Sequence, residues 1–197
     1  MAKKNLKMRV MVAPTPTIIA AAYDENGKAD ACTLAFYSPI SHVPPCVVIG
    51  INAHLRRKTL KSILHSGAFT IGYPSADQVK EADYIGVDSG YDTDKLANVG
   101  YTVTPGQTVL APVIDQMKLS LECKVDHTVT VGGHTQITGQ ITNIQAEEEI
   151  LDEKGRVVLE KLNPLIYDEE GFSYHFLGEP FAEAFRTGAQ LKKSLGR

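Results

Sequence analysis

Apolar and polar positions alternate along much of the chain with the two-residue period of half-buried strands. The longest such stretch runs from Met117 to Val131. Met117, Leu119, Leu121, Cys123 and Val125 fall on one face, and Lys118, Ser120, Glu122 and Lys124 on the other. Gly132-Gly133 turns the chain, and His134–Ala146 returns with Ile137, Gly139 and Ile141 in register, so the pattern predicts a long antiparallel hairpin. A second hairpin is predicted nearer the start. Thr17–Tyr23 is a β-type run, and Asp24–Lys28 (DENGK) is a turn with Asn26-Gly27 as its positive-φ pair. The returning strand is the Ala29–Tyr37 segment, and Pro14 and Pro16 keep the approach to the first arm extended. Two apolar runs, Ala31–Tyr37 and Cys46–Ile51, are separated by a loop carrying Ser41, Pro44 and Pro45.

After Ile51 the period changes. Asn52 is placed to cap a helix before Leu55, and Leu60, Ile63 and Leu64 supply the apolar face of a helix over 56–66. Ala68–Tyr73 is a short strand that Pro74 and Ser75 stop. Ala76–Tyr84 is helical, with Val79, Ala82 and Ile85 on one face. Gly86–Lys95 is polar and rich in turn formers, Leu96–Tyr101 gives one more helical turn, and Thr102–Pro112 is irregular. Leu165–Tyr167 and Phe172–Phe176 are late short strands, and Phe181–Leu195 has helical character, a tail to cap the body or a partner. Without repeats, low-complexity segments or a clear linker, residues 1–197 read as one domain. The fold class is mainly β: a barrel with peripheral helices. Irregular strand–helix alternation, with neither a GxGxxG after a strand nor a P-loop, argues against a doubly wound sheet.

Charge adds one local anomaly. The net charge of −3 gives no general push toward nucleic acid, and no run is long and apolar enough for a membrane span. The basic N-terminus lacks the apolar core of a secretory signal, so a cytoplasmic location is expected. Three cysteines without a CxxC pair, Cys32, Cys46 and Cys123, argue against a disulfide scaffold or structural zinc. Residues 1–72 nevertheless hold nine Lys or Arg and three Asp or Glu, against eleven and twenty in the remainder. Arg56, Arg57 and Lys58 crowd the helix start, where the helix dipole already places partial positive charge. A bound anion would relieve this, held by free N–H groups, the three cations and the Thr59 hydroxyl. A solvated basic turn accounts for the cluster equally well.

With these residues in view the chain resembles the flavin reductase-like family of FMN-binding split barrels, in particular its flavoredoxin branch. The resemblance is carried by the DENGKADACTLAF hairpin, SHVPPCVVIGI, the RRKTL helix start, AFTIGYPS, EADYIGVDSGYDTDK, LECKVDHTV and GGHTQITGQI, in that order. It implies a split β-barrel, assembled as a homodimer with FMN held non-covalently near the subunit interface. It also implies that Ala31, Cys32, Thr33, Leu34, Ala35 and Phe36 lie along the flavin ring through their backbone groups. Gly50, Ile51, Asn52 and His54 would lie near the ring and ribityl chain. Arg56, Arg57, Lys58 and Thr59 would face the phosphate, Lys95 would approach the flavin, and His134 would lie near the nicotinamide or flavin side. Many relatives carry Asn where this chain has Asp30, and Ser followed by Trp or Phe where it has Ala35-Phe36.

A flavin site needs little acid–base machinery, because the cofactor carries the redox chemistry. That suits a chain with neither a catalytic triad nor an HExxH motif. No catalytic residue is assigned. His127 and His134 lack the further ligands a metal would need. Each site residue has a plainer reading beside the functional one. Lys95 is a loop lysine paired with Asp92 or Asp94, His134 is a turn-edge histidine, His54 helps to cap the helix, and Cys32 packs in the core. Three functions follow. The first is an FMN-dependent oxidoreductase drawing on NADPH or NADH and passing electrons to a flavin, a metal complex or a protein. The second is an electron carrier without that reductase activity. The third is a barrel binding another phosphorylated ligand without redox chemistry.

Overall fold

In a computed structural model, residues 2–8, 10 and 14–195 are described. Met1, Arg9, residues 11–13, Gly196 and Arg197 lie outside the described residues, and with them part of the basic N-terminal stretch. The strands are β1 (Thr15–Pro16), β2 (Ile18–Tyr23), β3 (Ala29–Leu34), β4 (Tyr37–His42) and β5 (Pro45–Asn52). Helix α1 (Lys58–Ser66) and β6 (Ala68–Gly72) follow, then α2 (Val79–Val87), α3 (Lys95–Asn98), β7 (Val103–Pro105) and β8 (Pro112–Ile114). The long pair β9 (Leu119–Val131) and β10 (His134–Ala146) is succeeded by α4 (Leu159–Leu162), β11 (Ile166–Asp168), β12 (Ser173–His175) and α5 (Arg186–Ser194).

Seven strands form one antiparallel sheet in the order β3-β2-β6-β9-β10-β5-β4. Laid flat, its edges would stand about 29 Å apart at the usual inter-strand spacing. Yet the two edge strands, β3 and β4, are joined by Ala35 and Phe36 alone. The three peptide units from Leu34 to Tyr37 reach at most about 11 Å. The sheet therefore curls to bring its edges together, and the Gly50 N–H donates to the Phe36 carbonyl at 2.9 Å, carrying the β4–β5 ladder up to the link.

Closure explains the sequence of β2 and β3, which has apolar residues on both faces. Ile18, Ala20, Ala22 and Cys32 point into the barrel, among Val47, Ile49, Ile51, Phe69, Ile71, Cys123 and Ile137. Ile19, Ala21 and Ala31 point outward, where Ala82 and Ile85 of α2 and Leu96 of α3 cover them. Helix α1 inserts Ile63 into the barrel core and ends at Gly67, whose φ of 67° suits only glycine without strain.

Several local expectations are corrected. The segment around Ser41 is a strand, because Tyr37–His42 pairs with β5 and only the Val43–Pro44 link turns. In the 24–28 turn only Gly27 has positive φ. The Asp24 carboxylate accepts from the Asn26 and Lys28 N–H groups and so shapes the turn. Residues 102–112 are not wholly irregular, since β7 and β8 pair within them. On the face of β9 expected to be polar, Ser120 and Glu122 are buried. Glu122 accepts from the Thr108 N–H and hydroxyl and the Val109 N–H on one oxygen, and from Asn143 and Gln145 on the other. Burial would raise its pKa, but the hydrogen bonds from Thr108, Asn143 and Gln145 outweigh this and hold the carboxyl at about 2. It thereby anchors the 106–111 loop to the sheet.

Gly139 is a tight point of the barrel wall. A Cβ there would stand 2.5 Å from Cζ of Phe69, which is fully buried. Gly139→Ala is expected to cost about 1–3 kcal/mol by overpacking, read as a lowered urea midpoint at unchanged slope. An unchanged midpoint would mean that the wall yields.

Candidate functional site

The site is built where the barrel closes. β3 pairs with β2 along one edge only. Its outer face meets α2: the Thr33 hydroxyl donates to the Ala82 carbonyl, and a Cβ on Gly86 would stand 3.2 Å from Thr33 Cβ. Beyond this contact lies a cavity of about 330 Å³. Thr33, Leu34 and Ala35 form one wall, Asp83, Gly86 and Val87 a second, and Tyr167, Phe172 and Tyr174 a third. Phe36 falls on the other side of the junction. With Gly50 and His134 it lines a second hollow of about 370 Å³, in which the Phe36 and His134 rings lie 5.1 Å apart. Six of the residues that the resemblance gathers into one site thus divide between two hollows, Thr33, Leu34 and Ala35 lining one and Phe36, Gly50 and His134 the other.

The approach to α1 lies against the first of these. Asn52 does not cap the helix as expected. Its side chain accepts from the His54 and Leu55 N–H groups and turns the chain six residues before α1 begins. The N-cap is Arg57, which supplies no capping acceptor, so the first-turn N–H groups of α1 have no side-chain partner from it. Arg57 Nη1 donates to the Gly86 carbonyl at 2.9 Å, tying the approach to the α2 wall of the cavity. Arg56 is exposed and lies over the Tyr91 ring, 5.1 Å from its centroid.

Charge pairing separates the cations here. Lys58 pairs with Asp24 at 2.8 Å and Lys61 with Glu25 at 3.0 Å. The Lys58 ammonium, hydrogen-bonded to Asp24, draws that carboxyl down to about 2. Among the described residues neither Arg56 nor Arg57 is in an ion pair.

Several expected contacts are turned inward. Thr59 is fully buried and its hydroxyl donates to Asp30, so it faces β3 rather than the open helix end. Lys95 is 2% exposed, with Nζ 3.6 Å from Asp30 Oδ1. It is neither the surface lysine paired with Asp92 or Asp94 nor a group free to approach a ligand. Asp94 pairs instead with Lys28 at 2.9 Å. The side chains of Ala31, Cys32 and Ile51 are enclosed in the cores, which leaves only their backbone groups for a ligand. Burial pushes the Cys32 thiol pKa up, against the opposing pull of Lys95 and Thr59, so it rests as a neutral thiol. His54 is exposed and packs against Gly133.

Sequence reasoning passed over Asp30 as a structural centre and did not find the α2 and β11–β12 walls. Asp30 lies among residues that alternation assigns to a strand, and nothing local announces that Thr59 and Lys95 converge on it. Gly90 was a further signal: no Cβ fits there against the Asp30 carboxylate.

The fold and site together are those of an antiparallel barrel closed by a two-residue link, with a cavity beside β3 whose Gly86 wall is tied to Arg57 at the start of α1. The family model described as flavin reductase like domain matches residues 9–174. The chain belongs to that family. Among solved structures it is similar to the flavoredoxin of Desulfovibrio vulgaris (Miyazaki F), with 32% identity over 95% of this chain and 100% of that one and a TM-score of 0.88. A flavoredoxin from Methanosarcina acetivorans is 29% identical over 97% and 100% of the two chains, with a TM-score of 0.90. An FMN-binding protein from Thermus thermophilus, at 22% identity over 93% and 100% and a TM-score of 0.77, shares the fold. The fold is therefore the split barrel of the flavin reductase-like proteins. No helix among the described residues is long and apolar enough to cross a membrane.

The Asp30–Lys95 pair is a structural prediction in itself. Asp30→Ala leaves a buried ammonium without its carboxylate, and an expected loss of about 3 kcal/mol or more follows in urea unfolding. Lys95→Met in the same background is expected to restore part of that loss. A double variant as unstable as the sum of the singles would show the two side chains to be independent.

Proposed function

We propose that this chain binds FMN non-covalently across the barrel closure and works as a flavin-dependent electron-transfer protein of the reductase type. The observation that carries the reading is the charge pattern at the start of α1. Lys58 and Lys61 are neutralised by acidic neighbours, while among the described residues Arg56 and Arg57 have no ion-pair partner, and Arg57 reaches the Gly86 wall of the cavity.

The residues fit the group. Arg57 has guanidinium donors beyond the one given to Gly86, and with Arg56 and the uncapped first turn of α1 it would hold the phosphate. Thr33, Leu34 and Ala35, on the free edge of β3, would hold the ring through backbone groups, opposite Gly86 and Val87. A volume near 330 Å³ falls at the low end for small-molecule pockets. FMN supplies the chemistry when bound, accepting a hydride equivalent and releasing single electrons. The chain's own groups bind, orient and set the field. Among them Arg57 carries the positive charge nearest the cavity walls, whereas the charge of Lys95 is offset by Asp30.

NADPH or NADH is the donor in this reading, meeting the flavin in the same cleft, and the acceptor is a flavin, a metal complex or a protein. A cytoplasmic, soluble setting goes with it. The runner-up is an electron carrier between proteins, favoured by the similarity to flavoredoxins.

Equilibrium titration with FMN, followed by quenching of flavin fluorescence, tests the binding claim. Arg57→Ala is expected to weaken FMN at least 10-fold while changing riboflavin affinity much less, because only the phosphate contact is lost. Equal losses for both ligands would remove the arginine from the phosphate, and no binding by the unaltered chain would overturn the proposal. Rapid steady-state oxidation of NADPH or NADH by the loaded protein would exclude the pure carrier.

A further inference from the structure

The chain does not end with its barrel. Beyond His175 a segment of 20 described residues, 176–195, runs out from β12 and closes with α5. It lies outside the 9–174 span matched by the family model, yet the likeness to the two flavoredoxins covers 95% and 97% of the chain. Its composition is not that of a solvated tail. Phe176, Leu177, Phe181, Phe185, Leu191 and Leu195 are all exposed, Phe181 completely and Phe185 at 95%, and α5 has no buried residue. Phe185 also holds a φ of 65°, a conformation that a bulky residue keeps only when surrounding contacts fix it. Within the chain, turn hydrogen bonds from the Thr187 N–H to Glu183 and from the Ala189 N–H to Phe185 hold the backbone, while the ring itself stands in solvent.

The same chain carries an uncovered receiving surface. On the outer face of the sheet, where the β9–β10 hairpin meets β5, the strand register places Val129 beside Gln136 and Gln136 beside Gly50. Val131 and Val129 are 58% and 47% exposed, and Val131 borders the 370 Å³ hollow with Val48, Phe36 and the His134 ring. This hollow is lined mainly by apolar groups and is large enough to take an aromatic side chain.

We propose that residues 176–195 form an arm that docks on a second copy of this chain, seating phenylalanine side chains against the Phe36–Val48–Val131 hollow of that copy. Both halves of the contact are present in one sequence, so a twofold arrangement covers two arms and two hollows at once. Ten residues of extended chain before α5 reach about 33 Å, enough to cross to a neighbouring barrel. Covering the six side chains removes on the order of 700 Å² per copy. Counted for two arms with the surface beneath them, this exceeds the roughly 1,600 Å² of a standard stable interface. The arm gives the expected homodimer a specific contact, and it brings the second copy against Phe36, Gly50 and His134, which the resemblance places near the flavin. The contact itself does not depend on flavin binding, so failure of either proposal leaves the other standing.

Sedimentation velocity over 1–100 µM total protein, on the order of the working range for such interfaces, tests it. The full chain is expected to sediment at twice its 21.4 kDa mass. Ending the chain at His175, and separately the double substitution Phe181→Asp with Phe185→Asp, are expected to weaken association at least 10-fold. Circular dichroism should show the barrel intact in both. Val131→Asp on the receiving face is expected to act in the same direction. Should the shortened chain fail to fold, the double substitution decides. A full chain that is monomeric at the highest concentration would overturn the proposal, as would dimers indifferent to the loss of the arm or of Phe181 and Phe185. Dimers sensitive to the arm but indifferent to Val131→Asp would overturn the receiving face.

Discussion

The two residues joining β3 to β4 set the architecture. Ala35 and Phe36 link strands at opposite edges of a seven-stranded sheet, and so short a tether leaves the sheet no option but closure. The consequences spread outward. β2 and β3 become two-sided and must be apolar on both faces, which is why IIAAAY and DACTL contain so few polar side chains. β3 keeps one unpaired edge, and the helices that cover its outer face leave a cavity along that edge. The junction itself divides two hollows, one bounded by Thr33–Ala35 and the other by Phe36, Gly50 and His134.

Charge is arranged around the same place with a consistent logic. Lys58, Lys61 and Lys95 each have a carboxylate partner, in Asp24, Glu25 and Asp30. Arg56 and Arg57 do not, among the described residues. A guanidinium half-buried against a backbone carbonyl, with no anion of its own, is costly unless something else supplies the charge. The flavin phosphate is the group that family membership makes available. The Asp30–Thr59–Lys95 cluster is a separate device: it ties β3, α1 and α3 together behind the cavity wall.

Much of this was legible in the sequence. The β9–β10 hairpin, the α2 face and the basic start of α1 follow from periods and charges confined to neighbouring residues. What escaped depends on contacts distant in the chain. Glu122 lies on a face that alternation assigns to solvent, yet the Thr108, Asn143 and Gln145 partners that bury it come from two other segments. Ser41 and its neighbours read as loop because Pro44 and Pro45 carry turn signals, but an edge strand tolerates proline where no ladder donor is needed. Thr59 and Lys95 read as ligand contacts because family position says nothing of how a side chain points, and Asp30 draws both inward. The late phenylalanines read only as a tail, because exposure is a property of the assembled fold.

The central claim is that the ligand lies along the Ala35–Phe36 junction with its anionic end at the start of α1. Backbone hydrogen exchange of the full chain, measured with and without saturating FMN, tests it most directly. The account predicts slowed exchange concentrated at residues 33–36, at 56–60 and at 86–87, with the β7–β8 loop and α4 unchanged. Slowing confined to other regions of a chain that demonstrably binds FMN would contradict it.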